Sequence, residues 1–234
     1  MLEPQTYPTM VAKALVLDDE PFTAMIEDDN PWVEGLALTV IVSLIAGTAQ
    51  TIGGWLTTLS LPDATTVENA LVTGWRQFSA ATALPPAVTE TIFTRAWSAA
   101  AGWTGYAGGW GVLTPLIATP FLAIAWWLFF AVVAFAAARA LGGHGSLNST
   151  LGAAALMVAP QVLVFLSIVP FVTVSGALLG VWGLLIGYRA VQSTHHLPWR
   201  KAVLATLIPY AAALIVVPII ATAYVLGFSA GGFR

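Results

Sequence analysis

From Leu151 to Tyr188 the chain runs for 38 residues without one charged side chain, and no Asp or Glu follows Glu90 anywhere in its 234 residues. A soluble domain carries charge on about a quarter of its residues, because water must be met over the whole surface. Here the charged fraction is 8%, the hydrophobic fraction is 58%, and the mean hydropathy is +0.85. A water-soluble globule is excluded, and the solvent for most of this chain is lipid. The absence of cysteine removes disulfides, thiolate metal sites and cysteine nucleophiles. A net charge of −3 argues against a nucleic-acid partner, since no basic tract is dense enough to neutralise a run of phosphates.

Crossing about 30 Å of hydrocarbon takes about 20 apolar residues in a helix. The pattern predicts an all-α polytopic bundle of five transmembrane helices at about 33–59, 112–138, 151–169, 171–188 and 202–228. Pro170 supplies the break that turns the 38-residue stretch into a hairpin. Residues 1–32 form a polar, acidic head, with Asp18, Asp19 and Glu20 in one knot and Glu27, Asp28 and Asp29 in another. Such a head is unlike the basic start of a cleaved signal peptide, so it is expected to be retained. Short loops carrying Lys13, Arg139, Arg189, Arg200 and Lys201 belong on the cytoplasmic side, which leaves Arg76, Arg95 and Arg234 outside. The expectation is therefore a cytoplasmic N-terminus and an outer C-terminus. The outer connection 61–111 carries two helical patterns. Val67, Ala70, Leu71, Gly74 or Trp75, and Phe78 mark the first, and Val88, Ile92 and Trp97 after Pro85 and Pro86 mark the second. They are expected to lie on the outer leaflet or to cap the bundle, and Met10, Val11, Ala14, Leu15 and Leu17 predict a similar interfacial turn inside.

The spans offer little chemistry. Paired carboxylates, carboxylate-held calcium and an acidic proton relay are missing from everything beyond Glu90. Ser43, Gln50, Thr119, Gln161, Ser167, Ser175, Tyr210 and Tyr224 are mild polar groups of the kind that bridge helices. His195 and His196 are adjacent, so on a helix they point about 100° apart and do not pair on one ion; with His144 they read as solvated turn residues. The acidic knots lack the alternating ligands and central glycine of a calcium loop. No catalytic, cofactor-binding or metal-binding residue is assigned. The sharpest positive pattern is Gly176, Gly180, Gly183 and Gly187, a stripe on one helix face that lets a second backbone approach closely. Pro160, Pro209 and Pro218 are expected helix kinks, tolerated in membranes where neighbours satisfy the freed carbonyls.

Several of these features together resemble the Yip domain, the Ypt/Rab-interacting membrane protein family. Gly142, Gly143, Gly145 and Ser146 form a glycine turn opening a span; Pro160 sits mid-span; Pro170 breaks the chain; Trp182 lies in the next span. A turn of His196, Leu197 and Pro198, the basic pair Arg200 and Lys201, and Pro209 follow, while Pro21, Phe22 and Pro31 lead the head into the first span. The resemblance implies a five-span bundle with a cytoplasmic N-terminus. In eukaryotic members it implies trafficking adaptors that bind small GTPases and coat components through the head. The short acidic head is closer to the prokaryotic-type members, implying a prokaryotic cytoplasmic membrane. The expected role is a non-catalytic organiser, scaffold or accessory subunit with the lipid bilayer and a protein partner or second copy as its neighbours. The alternative is a small permease or channel for an apolar or weakly polar solute, suggested by proline-broken spans and Gln161.

Overall fold

The computed structural model describes the backbone at residues 4–82, 86–106 and 109–231, and side chains within 5–82, 90–106, 110–219 and at 222. Pro85, Arg234 and the side chains of Val88 and Tyr224, all used above, lie outside the described residues. Every regular element among the described residues is helical: α1 (Tyr7–Leu15), α2 (Glu20–Glu27), α3 (Pro31–Ser60), α4 (Ala64–Thr82), α5 (Pro86–Thr104), α6 (Thr114–Ala140), α7 (Leu147–Ala155), α8 (Gly176–His195) and α9 (Trp199–Gly231). Three 3₁₀ segments, Pro4–Thr6, Gly109–Leu113 and Leu156–Ile168, join or extend them.

Local chemistry sets the boundaries. Leu17 adopts a left-handed φ of 61° and closes α1, its N–H bonded to the Ala14 carbonyl. Pro21 and Pro31 then start α2 and α3 at first-turn positions where a missing N–H costs nothing. Asp63 opens α4, accepting from the Thr66 N–H at 3.1 Å and from the Thr65 and Thr66 hydroxyls. The Thr65 hydroxyl bond first, with those from Thr66, holds its carboxyl down at about 2. Ser146 caps α7 by accepting the Ser149 N–H at 3.0 Å.

Among the described residues four helical segments are long and apolar enough to cross a membrane: Pro31–Ser60, Trp110–Ala140, Leu147–Ile168 and Trp199–Ile219. They coincide with four of the five expected spans. The third joins α7 to an unusually long 3₁₀ run containing Pro160. At about 1.5 Å per residue for the α part and about 2.0 Å for the 3₁₀ part, this segment reaches roughly 40 Å, ample for the hydrocarbon. The remaining expected span, 171–188, differs in register. Residues 169–175 are not helical, Phe171 sits at φ 65°, and α8 begins only at Gly176. The helix therefore gives up Phe171 and Val172 and takes in Arg189, Gln192 and His195 instead, and it is not one of the four.

The chain divides into two compact units. The first comprises Met1–Val42, Leu122–Pro160 and Gly176–Arg234. Its core is built from small residues around a few large ones: Ala131, Ala134, Ala138, Ala154, Ala155, Ala202 and Ala205 surround Trp127, Phe130 and Val191. In lipid, where burying apolar surface drives nothing, small side chains permit the close backbone approach that holds helices together. The head belongs to this unit, with Phe22 and Met25 fully buried.

The second unit, Ser43–Phe121 with Gln161–Ser175, shows the same device. A Cβ on Gly47 would lie 2.7 Å from the Pro115 carbonyl oxygen, and one on Gly53 only 1.7 Å from that of Ser167. Thr119 donates to Gln50 at 3.4 Å, so two of the mild polar groups do bridge segments. α4 and α5 form a hairpin in which Trp75 stacks on Phe93 at 5.4 Å and the Arg76 guanidinium forks onto Glu90 at 3.0 and 2.6 Å.

Candidate functional site

A cluster of polar contacts lies in the first unit, around the head, the glycine turn after α6 and the end of α8. The turn begins where α6 stops. Gly142 takes φ 92°, its N–H bonds to the Arg139 carbonyl at 3.1 Å, and the Gly143 N–H bonds to Ala138 at 2.8 Å. This is the Schellman pattern, and it needs a residue without a Cβ penalty at Gly142. Lys201 donates to the Leu141 carbonyl at 2.8 Å and Arg139 to that of Gly143 at 3.4 Å, so two cations cover the negative end of α6.

Against this turn sits His195. It is fully buried rather than part of a solvated turn, which corrects the reading drawn from its polar sequence neighbours. Its Nε2 lies 3.0 Å from the Thr150 hydroxyl, which donates its own proton to the Ser146 carbonyl at 2.7 Å. A hydroxyl has one proton, so Thr150 accepts from His195 and the imidazole carries its proton on Nε2. Nδ1 is then a buried lone pair with no hydrogen-bond partner among the described residues. A Cβ on Gly143 would approach Nδ1 to 3.0 Å and the His195 Cβ to 2.8 Å; one on Gly145 would lie 2.5 Å from the Thr194 carbonyl oxygen. The two glycines make room for the ring. Burial pushes the His195 imidazole down to about 4, and the positive charges of Arg139 and His196 add to the effect.

His196 follows in the left-handed region at φ 50° and ends α8; Pro198 then starts α9, its carbonyl accepting the N–H groups of Lys201 and Ala202. Arg200 extends over the exposed Trp199 ring at 5.3 Å.

The head is fastened to the same region. Tyr7 donates to the buried Glu34 carboxylate at 2.5 Å, the Trp182 indole donates to the Leu15 carbonyl at 2.9 Å, and Arg189 pairs with Asp19 at 2.5 Å. Burial, followed by the Glu34 bond and charge, pushes the Tyr7 hydroxyl up to about 12. The Trp32 N–H donates to Asn148 at 3.2 Å. A Cβ on Gly152 would stand 2.6 Å from the Pro31 Cβ and 3.1 Å from the Met25 carbonyl oxygen, so α7 meets the head backbone to backbone.

The glycine stripe of α8 divides in two. Gly187 faces Met157 Sδ and Phe130 Cζ, each 2.9 Å from the position of an added Cβ, and Gly183 faces the Met157 carbonyl at 3.4 Å. A Cβ added at Gly176 or Gly180 would meet nothing within 4 Å among the described residues. Pro160 lies in the 3₁₀ run, while α9 continues through Pro209 and Pro218.

The Yip1 domain matches residues 14–221. The chain belongs to the Yip1 domain family. No curated protein and no solved structure matches it. The domain takes in α2, the glycine turn, Trp182, His195 and the α8 stripe, whereas Tyr7 precedes it. Together with its apolar helices, this makes the chain an integral membrane protein of Yip type, whose exposed apolar side chains contact the bilayer. Glu34, Thr150, Asp19 and Arg189 are site residues that spacing along the sequence did not reveal. The available signal was the position of Glu34, a lone carboxylate inside the first apolar stretch, where ionisable groups occur only with partners.

Proposed function

We propose that this Yip1-family chain is a non-catalytic membrane organiser, acting as a scaffold or accessory subunit through helix-helix and protein-protein contacts. In this reading the uncharged part of α8, residues 176–188, is a fifth crossing, the N-terminus is cytoplasmic, the C-terminus is outside, and α4 and α5 lie at the outer interface. The observation that carries it is the open half of the α8 stripe. Gly183 and Gly187 are spent on contacts within the chain, while Gly176 and Gly180 leave a flat backbone surface beside the exposed Leu178 and Val181. In lipid such a surface favours a second helix, because close approach multiplies van der Waals contacts that lipid tails supply less well. The charged and polar groups described around the head serve contacts within the chain: Glu34 holds Tyr7, Asp19 holds Arg189 and His195 holds Thr150.

The test is photocrosslinking in native membranes with a benzophenone side chain at position 180. A discrete protein adduct, to a second copy or another protein, is expected, and Gly180→Leu should cut recovery of that neighbour by about tenfold. Adducts to lipid alone would refute the reading. A second reading, a permease for a weakly polar solute, draws on one observation: Gln161 Oε1 is buried with no hydrogen-bond partner among the described residues. Solute flux into vesicles containing only this chain, lost in Gln161→Leu, would establish it in place of the first.

A further inference from the structure

We propose that a cavity in the second unit, at the C-terminal end of α3, binds an uncharged polyhydroxyl group, the chemistry shared by a free sugar and the sugar head of a glycolipid. The cavity holds about 550 Å³, within the size range of small-molecule sites. Among the described residues no Asp, Glu, Lys, Arg or His lines it; its polar positions are hydroxyls and one amide. Four of the six hydroxyls are already committed as donors. Thr58 donates to the Gly54 carbonyl at 2.9 Å, Thr104 to Ala100 at 2.8 Å, Ser167 to Val164 at 2.6 Å and Tyr106 to Pro62 at 2.6 Å. A hydroxyl carries one proton and two lone pairs, so what these four offer a guest is acceptance. The Gln50 amide, its oxygen accepting from Thr119, retains an NH₂ group to donate.

A lining whose polar positions are mostly acceptors, with no cation among the described residues, gives an anion little to pair with. A wall without a carboxylate gives a cation nothing to neutralise it, and burying an unpaired charge is costly. A neutral guest rich in O–H donors satisfies both sides. The wall is also rigid. Gly53 lies backbone to backbone on Ser167, and Phe171 is held at φ 65° with its N–H on the Thr57 hydroxyl at 3.3 Å. A non-glycine residue in that region is strained and persists where the surroundings over-determine it, often at ligand sites.

Gly54 provides the test, because it lines the cavity and an added Cβ there meets no heavy atom within 4 Å among the described residues. The full chain, in phosphatidylcholine nanodiscs, is titrated with three probes: monoglucosyl diacylglycerol and diacylglycerol of the same acyl chains, read by native mass spectrometry, and radiolabelled glucose, read by equilibrium dialysis. At least tenfold preference for the glucosyl lipid over diacylglycerol is expected. Binding of free glucose as well assigns the site to the sugar itself, and binding of the glucosyl lipid alone assigns it to a lipid head. Gly54→Leu should fill the space and lower affinity at least tenfold. Should that variant misfold, the isosteric pair Thr58→Val and Thr104→Val removes two acceptors and should cost roughly tenfold. The proposal is overturned if neither sugar probe binds above the diacylglycerol background, or if either folded variant binds as the unaltered chain does.

Discussion

Acidification should weaken this protein through His195 by a calculable amount. The ring is fully buried, its Nε2 proton serves Thr150, and its imidazole is pushed down to about 4 against an ordinary value near 6.5. A histidine depressed on folding is held neutral in the native state and takes a proton more readily once unfolded. Its stabilisation is therefore complete above about pH 6.5 and is lost as pH falls toward 4. The full window is worth about 3 kcal/mol at 1.36 kcal/mol per pH unit, and about 2 kcal/mol is gone by pH 5. For a chain of this size that is a fall in midpoint of roughly 4–8 °C between pH 7.5 and pH 5. The assay is thermal unfolding in a non-ionic detergent across that range, on the unaltered chain and on His195→Gln. The comparison is between slopes, so a uniform loss of stability in the variant does not disturb it. The variant should lose the pH dependence between 5 and 6.5, and parallel slopes in the two proteins would show that His195 is not the buried neutral group described above.

Glycines of similar sequence context should behave in opposite ways. Gly152→Ala forces a Cβ to within 2.6 Å of Pro31 and should destabilise by about 1–3 kcal/mol, whereas Gly180→Ala enters open space and should be neutral or stabilising by up to about 1 kcal/mol in the purified chain. Unfolding in detergent or bicelles measures both. Trp182→Phe keeps the ring but removes the donor to Leu15, and a loss of about 1 kcal/mol should speed tryptic cleavage after Lys13 by about fivefold if that bond holds the head down.

The sequence disclosed what depends on local runs and punctuation. Apolar length placed four crossing segments within a few residues, because lipid tolerates no other arrangement for a long uncharged stretch. Proline and glycine marked most ends, including the starts of α2 and α3 and the turn at Gly142. The break near Pro170 was equally legible, but its width was not. Phe171 enters the left-handed region, a conformation that aromatic residues take only under tertiary constraint, so no local rule delays the next helix to Gly176. That delay moved Arg189 into α8 and onto Asp19, a pairing of residues far apart in sequence.

The site was hidden for a related reason. Periodicity shows that Gly176, Gly180, Gly183 and Gly187 share a face, yet it cannot say where along that face a neighbour ends. Met157 and Phe130 reach the lower two only, and both come from segments whose own patterns are uniformly apolar. His195 is the clearer lesson. Beside His196 and ahead of a proline it has the local signature of an exposed turn, and its burial follows from Gly143 and Gly145 standing aside and from Thr150 having already spent its proton on Ser146. Both glycines were visible as flexible turn residues, but in the structure their missing side chains serve as space for the ring. An alanine at either position would therefore displace an imidazole from the far end of α8 rather than stiffen a loop, and it would loosen the bond that ties α7 to α8.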